Sequence, residues 1–361
     1  MEHLLRRRDG GRLMLAACTV SRETIEYQQL AEPAIAAAHA LVRVHHVTLC
    51  GTDLHIWEDD YATELPIVQG HEFVGIIEGL PVGAPEGWAI GDRVAVSPVF
   101  SCGTCYACSI GRTNACADIS VYGCYEDGAL VELINVPFDK LHLVPADLPL
   151  HIASLWEPMS IAMQAVNRSH PVRGEKAVVL GCGPIGLLVT LYLTDLGVDV
   201  LAADTLTGRT DFARQFGAQQ TMLVDPARDF PTAEQTPTLD TFTRGQGPSL
   251  VFEATGMPSS LGNALRMVAT AGRVVAVGIS DREVALSMRT VPVKEIDLIG
   301  SRNSLNLVDA SLEILSRHPE QAAALVTHRF PFEDLGTAFE TMRSRTELVG
   351  KVAIDMPGAR A

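Results

Sequence analysis

Lys176-Ala-Val-Val-Leu-Gly-Cys-Gly-Pro-Ile-Gly186 is the stretch whose reading decides the fold. Its first half is an apolar run of the buried-strand type. Its second half, Gly181-x-Gly183-x-x-Gly186, closes that strand and opens a helix whose Pro184 suits a first turn. Each glycine has a use there: Gly181 permits the tight turn, Gly183 lets the backbone approach a pyrophosphate, and Gly186 allows close helix–strand packing. The helix N-terminus, around Pro184 and Ile185, offers unpaired N–H groups and a positive dipole end to the phosphates. Asp204 ends the next apolar run, 23 residues after Gly181, where an acid binds the adenosine ribose hydroxyls. A carboxylate there repels a 2′-phosphate, so the pattern favours NAD over NADP, with Arg209 five residues on as a partial offset. The bland alternative is a Gly-rich turn with no ligand, and the complete strand–turn–helix–acid context argues against it.

Outward from this motif the chain alternates strand and helix. A helix over Pro184–Leu196 stops at Gly197, a strand follows over Val198–Ala203, and a helix over Thr210–Phe216 closes at Gly217. Strands at Thr221–Val224 and Leu250–Glu253, a helix over Pro258–Ala271 stopped by Gly272, and a strand at Arg273–Val277 complete the series. Strands spaced by such helices mean a doubly wound parallel sheet covered on both faces. Before it, from Leu13 to about Ala153, short strands with Gly and Pro turns suggest a mostly β domain: Leu41–Leu49, Phe73–Glu78, Arg93–Val96 and Ala129–Val136. After Ile299 come a helix (Leu307–Arg317), a strand near Arg329, a helix (Asp334–Met342) and a last strand (Lys351–Ile354). That tail is too small to fold alone and is expected to pack back onto the first domain. The expected division is therefore 1–155, with a cysteine lobe at about 98–120, then 156–298 for the nucleotide domain and 299–361 for the return.

Composition narrows the function. The chain has 361 residues, 47% hydrophobic and 20% charged, enough for about two domains with proper cores. Forty-three acids against 28 bases leave a net charge of −15, which argues against nucleic-acid binding and against a polybasic membrane-surface protein. No segment reaches the ~20 uninterrupted apolar residues of a membrane span; Ala177–Leu193 is broken by Gly181, Gly183, Pro184 and Gly186. Arg6-Arg7-Arg8 ahead of Leu13–Cys18 imitates a short secretory signal. The apolar run before Cys18 is only five residues, however, below the ~7–15 of a signal core. The expectation is a basic tail (Met1–Arg12) ahead of a first strand, in a cytoplasmic protein.

Four of the eight cysteines, Cys102, Cys105, Cys108 and Cys116, crowd into one loop as C-x2-C-x2-C-x7-C, flanked by Gly103 and Gly111. Four soft ligands with no open position fit a closed, structural zinc. An iron–sulfur cluster would use the same ligands, but nothing else suggests electron transfer, and a reducing compartment disfavours disulfides. Cys50, His71 and Glu72 or Glu157 are scattered, as catalytic-metal ligands often are. Cys50-Gly-Thr-Asp-Leu-His55 packs a thiol, a hydroxyl (Thr52) and an imidazole into six residues. Any one of these alone is more often structural; together, beside a nicotinamide motif, they point to chemistry.

These motifs carry a resemblance. Cys50-Gly-Thr-Asp-Leu-His55, Gly70-His-Glu-Phe-Val-Gly75, Gly91-Asp-Arg-Val94, the four-cysteine lobe, Glu157-Pro158, the glycine motif and Val251-Phe-Glu-Ala-Thr-Gly256 are similar to those of the zinc-dependent medium-chain alcohol dehydrogenases. The match runs from Leu13 to Ile354. The resemblance implies a GroES-like catalytic domain split by an inserted Rossmann domain, and two zinc ions per chain. It implies that Cys50 and His71 bind the catalytic zinc with a carboxylate and water, Glu72 or Glu157 being that acid. Neighbours on a regular strand point to opposite faces, so His71 and Glu72 can both ligate only if the chain bends there. It further implies that Thr52 and His55 form a proton relay, and that hydride passes between an alcohol carbon and the nicotinamide.

Glu157-Pro158 fits the polyol and sugar branch, while Cys50–Ile56 also resembles threonine dehydrogenases. Ser301-Arg-Asn-Ser304 is similar to a branch acting on sugar acids, which makes Arg302 a candidate for the substrate's carboxylate or vicinal diol. An arginine pairing with a neighbouring acid or with the cofactor is the plain alternative. The expected substrate is a secondary alcohol on a polyol, sugar or sugar acid, and the expected assembly a homodimer or homotetramer. Rivals are threonine-type amino-alcohol oxidation and an epimerase or lyase that retains NAD. A zinc-free reductase of the same fold, or a non-catalytic sensor, would not need the intact ligand set.

Overall fold

The computed structural model describes residues 13–344 and 348–359, so the basic tail Met1–Arg12 lies outside the described residues. The chain divides into two compact units, Met1–Glu157 with Val308–Ala361, and Pro158–Leu307. The second is thus an insertion in the first. A sixth strand, Asp297–Gly300, pairs with Arg273–Ala276 and keeps the chain on this unit's sheet past residue 298, and the unit ends at Leu307.

In the inserted unit six parallel strands lie in the order Gln220–Leu223, Asp199–Asp204, Lys176–Leu180, Leu250–Glu253, Arg273–Ala276 and Asp297–Gly300. This is the order 3-2-1-4-5-6 of a Rossmann sheet. Its central strands are apolar throughout because both faces are covered: Val178, Leu201, Val251 and Val274 are buried. Lys176–Leu180 and Leu250–Glu253 are the neighbours at which strand order reverses, and the glycine turn leaves the sheet there. The helix Pro184–Asp195 follows, with Gly183 as its N-cap. One expected helix is shorter than its pattern: Pro258–Met267 stops where Val268 turns extended. Gly272 still serves close approach, since a Cβ there would sit 2.6 Å from Val268 Cγ2.

The first unit is built on a seven-stranded sheet whose middle strand, His39–Leu49, is paired on both edges. Glu72–Gly79, Leu133–Pro137 and Lys351–Asp355 all pair antiparallel to it. Val42, Val44, Phe73, Ile77, Phe339 and Ile354 are buried around it. At roughly 1.5–3 kcal/mol per fully buried large side chain, this packing is the main local source of stability. The last strand fills the sheet beside the first unit's own central strand, which is why the tail must return. The strand expected from Ala129 starts only at Leu133. Residues before it bond elsewhere: Ala129 N–H to the Gly70 carbonyl (2.9 Å) and the Leu130 carbonyl to Ala17 N–H (2.9 Å). Several helices escaped the sequence reading, among them Gly51–Trp57, Trp156–Arg168, Thr236–Thr243 and Pro319–Leu325.

Candidate metal and cofactor sites

Strand register builds the cluster of Cys50, His71 and Glu72. Thr48 lies opposite Glu72, and Leu49 opposite Val352, so three strand ends converge where the central strand gives way to Cys50. Cys50 caps the helix Gly51–Trp57, and Asp53 completes the cap by accepting from Cys50 N–H (2.8 Å). The other Asp53 oxygen accepts from Gly70 N–H (3.3 Å) and lies 3.6 Å from His71 Nδ1. Gly70 has φ +97°, a left-handed turn that bends the chain just before His71. That bend answers the alternation problem: ligand atoms of Cys50, His71 and Glu72 all lie within 4.8 Å of one another. Thiolate, imidazole and carboxylate with room for a fourth ligand form the donor set of an open zinc site. The residues fit the metal.

Groups that the sequence reading gave no site role complete this cluster. Lys351, 4% exposed, donates to both Glu72 oxygens, at 2.5 and 2.7 Å, and to the Leu49 carbonyl (3.2 Å). Thr48 Oγ1 also donates to Glu72. Burial works against the Lys351 charge, but the Glu72 carboxylate outweighs it and its pKa is raised. Asp53 orients His71 in the way carboxylates orient metal-bound imidazoles. Cys124 Sγ sits 3.8 Å from the same ring nitrogen. Burial disfavours charge on His71, yet Asp53 and Cys124 prevail and raise its pKa. The only sequence signal for Asp53 was its spacing three residues after Cys50; Lys351 had none. Glu157, at the head of the helix Trp156–Arg168, has its pKa pushed up to about 7 by burial and by the Glu72 carboxylate. Thr52 stands beside Cys50, 3.9 Å between Oγ1 and Sγ. His55 is one turn further on, exposed, with Nδ1 2.8 Å from Asp60 Oδ1.

The four lobe cysteines also gather their sulfurs within 4.8 Å. Cys105–Cys116 and Cys102–Cys116 separations of 3.9 and 3.5 Å are far beyond a disulfide bond. They bracket the roughly 3.8 Å edge of a tetrahedron with ~2.3 Å zinc–sulfur bonds. Backbone amides are aimed at sulfur: Cys102 N–H to Cys116 (3.2 Å), Cys105 N–H to Cys102 (3.4 Å) and Ala117 N–H to Cys105 (3.5 Å). Such amides stabilise thiolates, and those at Cys102 bring its pKa down to about 6. This donor set fits a closed zinc site.

In the inserted unit the glycine motif behaves as its spacing requires. Gly181 has φ +97°, and a Cβ on Gly186 would lie 1.8 Å from the Gly181 carbonyl oxygen. A Cβ on Gly183 would meet nothing within 4 Å, so that face is open to a ligand. It borders a cavity of about 330 Å³ lined by Gly181, Gly183, Asp204, Thr205, Arg209 and Arg228 among others. Asp204 is buried; its carboxylate accepts from Cys182 N–H (2.8 Å) and Leu206 N–H (3.0 Å), tying the glycine turn to the next strand. Arg209 Nη1 lies 3.9 Å from Asp204, and its Nε is buried with no partner. Glu253 holds the Ala-Thr-Gly turn through Thr255 N–H (2.8 Å) and Gly256 N–H (3.2 Å). This open glycine face over a helix N-terminus fits a dinucleotide. Arg302, by contrast, is exposed just past the last strand of this unit.

Comparison with known proteins bears directly on this pairing of a zinc cluster with a nucleotide fold. Residues 36–146 match the alcohol dehydrogenase GroES-like domain, and 184–317 the zinc-binding dehydrogenase domain. L-galactonate-5-dehydrogenase of Escherichia coli K12 is 35% identical over 83% of this chain and 87% of its own. The chain belongs to the zinc-dependent medium-chain alcohol dehydrogenases. L-threonine 3-dehydrogenase of Bacillus subtilis is another relative, 31% identical over 86% of this chain and 90% of its own. Among solved structures, an alcohol dehydrogenase (rspB) of E. coli CFT073 complexed with NADH superposes with a TM-score of 0.87 at 28% identity. It covers 96% of this chain and 100% of its own. The dehydrogenase is thus an oxidoreductase built from a GroES-like domain and an inserted Rossmann domain. No helix among its described residues is long and apolar enough to cross a membrane.

Proposed function

We propose that this dehydrogenase oxidises a secondary alcohol of a polyol, sugar or sugar acid with NAD, using one catalytic and one structural zinc per chain. The observation that carries the reading is the buried convergence of Cys50, His71 and Glu72. When bound there, zinc supplies Lewis acidity toward an alcohol oxygen and NAD supplies the hydride acceptor. The chain's own groups do the rest. Cys50, His71 and Glu72 hold the ion; Asp53 fixes the His71 ring, and Lys351 with Thr48 fixes the Glu72 carboxylate. Glu157 adds a second buried carboxyl beside them, at the head of the helix Trp156–Arg168. Thr52 passes the alcohol proton outward, and His55 is exposed to deliver it to water. Gly181, Gly183, Gly186, Pro184 and Ile185 seat the pyrophosphate, and Asp204 with Arg209 the ribose; the Asp204 charge favours NAD over NADP.

The L-galactonate relative and the Ser301–Ser304 stretch support a sugar acid, with Arg302 as its carboxylate partner. Both thiolate sites need reduced cysteines, which suits the cytoplasm. The strand Asp297–Gly300 ends its sheet with Leu298 46% exposed, an edge suited to pairing in a homodimer or homotetramer. The test is a panel of polyols, aldoses, aldonates and L-threonine, followed by NADH absorbance. Stoichiometric NADH from an aldonate or polyol is expected. Preference for threonine would move the protein to amino-alcohol oxidation, and product without NADH release would make it an epimerase or lyase.

A further inference from the structure

His55, Glu58 and Asp60 lie where the helix Gly51–Trp57 ends, apart from both cysteine-containing clusters. The helix places His55 and Glu58 three residues apart, on one face. Glu58 caps the helix with helical dihedrals, and Asp59 then takes a left-handed φ of 56°. The turn folds Asp60 back: its N–H bonds the His55 carbonyl (3.0 Å), and its carboxylate reaches His55 Nδ1 at 2.8 Å. The outcome is one imidazole nitrogen and two carboxylate oxygens within 4.8 Å of one another. The His55 and Asp60 side chains are each 56% exposed, so an ion and its waters can reach them.

The surroundings favour a cation. No Lys or Arg occurs between Arg43 and Arg93, while Asp59 adds a further negative charge beside the three groups. Arg343, stacked over the neighbouring Trp57 ring, is ion-paired with Glu23 and Glu340, and Glu58 acts on it only as the weakest of the three charges. Among the described residues no Lys or Arg pairs with Glu58 or Asp60 within 4.0 Å. Two carboxylates alone would suit calcium or magnesium, but the imidazole shifts the preference toward zinc, nickel and copper. Three protein donors with solvent at the remaining positions make an open, exchangeable site rather than a closed one.

We propose that His55, Glu58 and Asp60 form a third divalent-metal site, distinct from the catalytic and structural zinc sites, which binds Zn²⁺ reversibly and inhibits turnover when filled. The ion takes the His55 Nδ1 lone pair in place of the Asp60 contact, so the ring's one proton sits on Nε2 and that nitrogen has no lone pair left to accept another. The inhibitory half rests on His55 being the relay histidine; the binding half does not.

The experiment starts from holoenzyme carrying two zinc ions per chain, freed of loosely held metal. Equilibrium dialysis against Ni²⁺ and against Zn²⁺, at micromolar free metal, counts further bound ions, and initial rates are read at the same concentrations. One further equivalent is expected, together with reversible inhibition that EDTA relieves within a short exposure. Glu58→Gln should weaken the added equivalent about tenfold or more, as loss of one of three donors requires, with metal-free turnover unchanged. Asp60→Asn should weaken it similarly. No third equivalent up to about millimolar metal, or one that binds equally to wild type and both variants, overturns the site. A third equivalent lost in Glu58→Gln but harmless to wild-type turnover overturns the inhibitory half and the relay role of His55, while the site stands.

Discussion

His46 provides a quantitative test of how this sheet handles charge. It sits on the central strand, opposite Asp355, and is 4% exposed. Burial drives its pKa down to about 4; Asp355, whose Oδ1 is 2.9 Å from Nδ1, pulls the other way and loses. Asp355 is itself paired with Arg329 (2.8 Å), and His151 packs edge-on with ring centroids 6.1 Å apart, so both Arg329 and His151 oppose a new positive charge. Adjacent His45 is also shifted down, by burial and then by Arg43. The unfolded chain, with a histidine pKa near 6.5, binds a proton that the native ring refuses until about pH 4. Stability is therefore fully present above about pH 6.5 and falls as pH drops toward 4, because the unfolded state holds more protons throughout that window. At pH 5 nearly every unfolded copy is protonated against about one native copy in ten, a loss of roughly 2 kcal/mol; by pH 4 it is roughly 3 kcal/mol. For units of this size about 2 kcal/mol corresponds to roughly 4–8 °C in Tm. The assay is Tm at pH 8 and pH 5 for wild type and His46→Asn, which keeps a donor toward Asp355 but cannot titrate. Acid loss of zinc is common to both, so the difference of differences isolates His46. The variant should lose about 4–8 °C less than wild type; equal losses would refute the reasoning.

Three further expectations follow from the metal and cofactor sites. In zinc-stripped protein Lys351→Met should cost about 3–5 kcal/mol by stranding the buried Glu72 carboxylate, while Glu72→Gln with Lys351→Met should recover most of it; additive costs in a double-mutant cycle of Tm values would show that the pair is not coupled. Cys105→Ser should lower metal content from two zinc ions to one and reduce Tm before it touches the chemistry, since a structural site contributes folding energy directly; metal analysis with thermal unfolding reads both. Asp204→Ala should raise kcat/KM with NADP relative to NAD about tenfold, by removing the charge that repels a 2′-phosphate, and should weaken both cofactors, because Asp204 also ties down Cys182 and Leu206.

Which parts of this molecule were legible in its sequence follows from the range of the interactions involved. The inserted unit was readable because its signals are local. Each strand is a short apolar run, each helix stop a nearby glycine, and the cofactor turn fits within six residues. The strand Asp297–Gly300 escaped because all its residues are partly or fully exposed at the sheet edge, which removes the apolar run that betrays the other five. The cysteine lobe was readable for a similar reason: its four donors span fifteen residues.

The support of the catalytic cluster was not readable, and its geometry shows why. Lys351 and Glu72 are 279 residues apart and meet only because the last strand slots in beside the central one, with Val352 opposite Leu49 and Glu72 opposite Thr48. Nothing near Lys351 in sequence distinguishes it from a surface lysine. The acid pair makes the same point. From spacing alone Glu72 and Glu157 were interchangeable, and adjacent strand positions argued against His71 and Glu72 sharing a site. The structure separates the two by partners: a left-handed Gly70 turns His71 off the strand, Lys351 and Thr48 neutralise Glu72, and Glu157 is left with a pKa of about 7. Burial and then the Glu72 charge, which Lys351 holds in place, raise the Glu157 carboxyl, against the pull of His71 and Lys351. The different surroundings of these two acids thus depend on a strand that returns from the far end of the chain, which ties the charge balance of the cluster to the completeness of the fold.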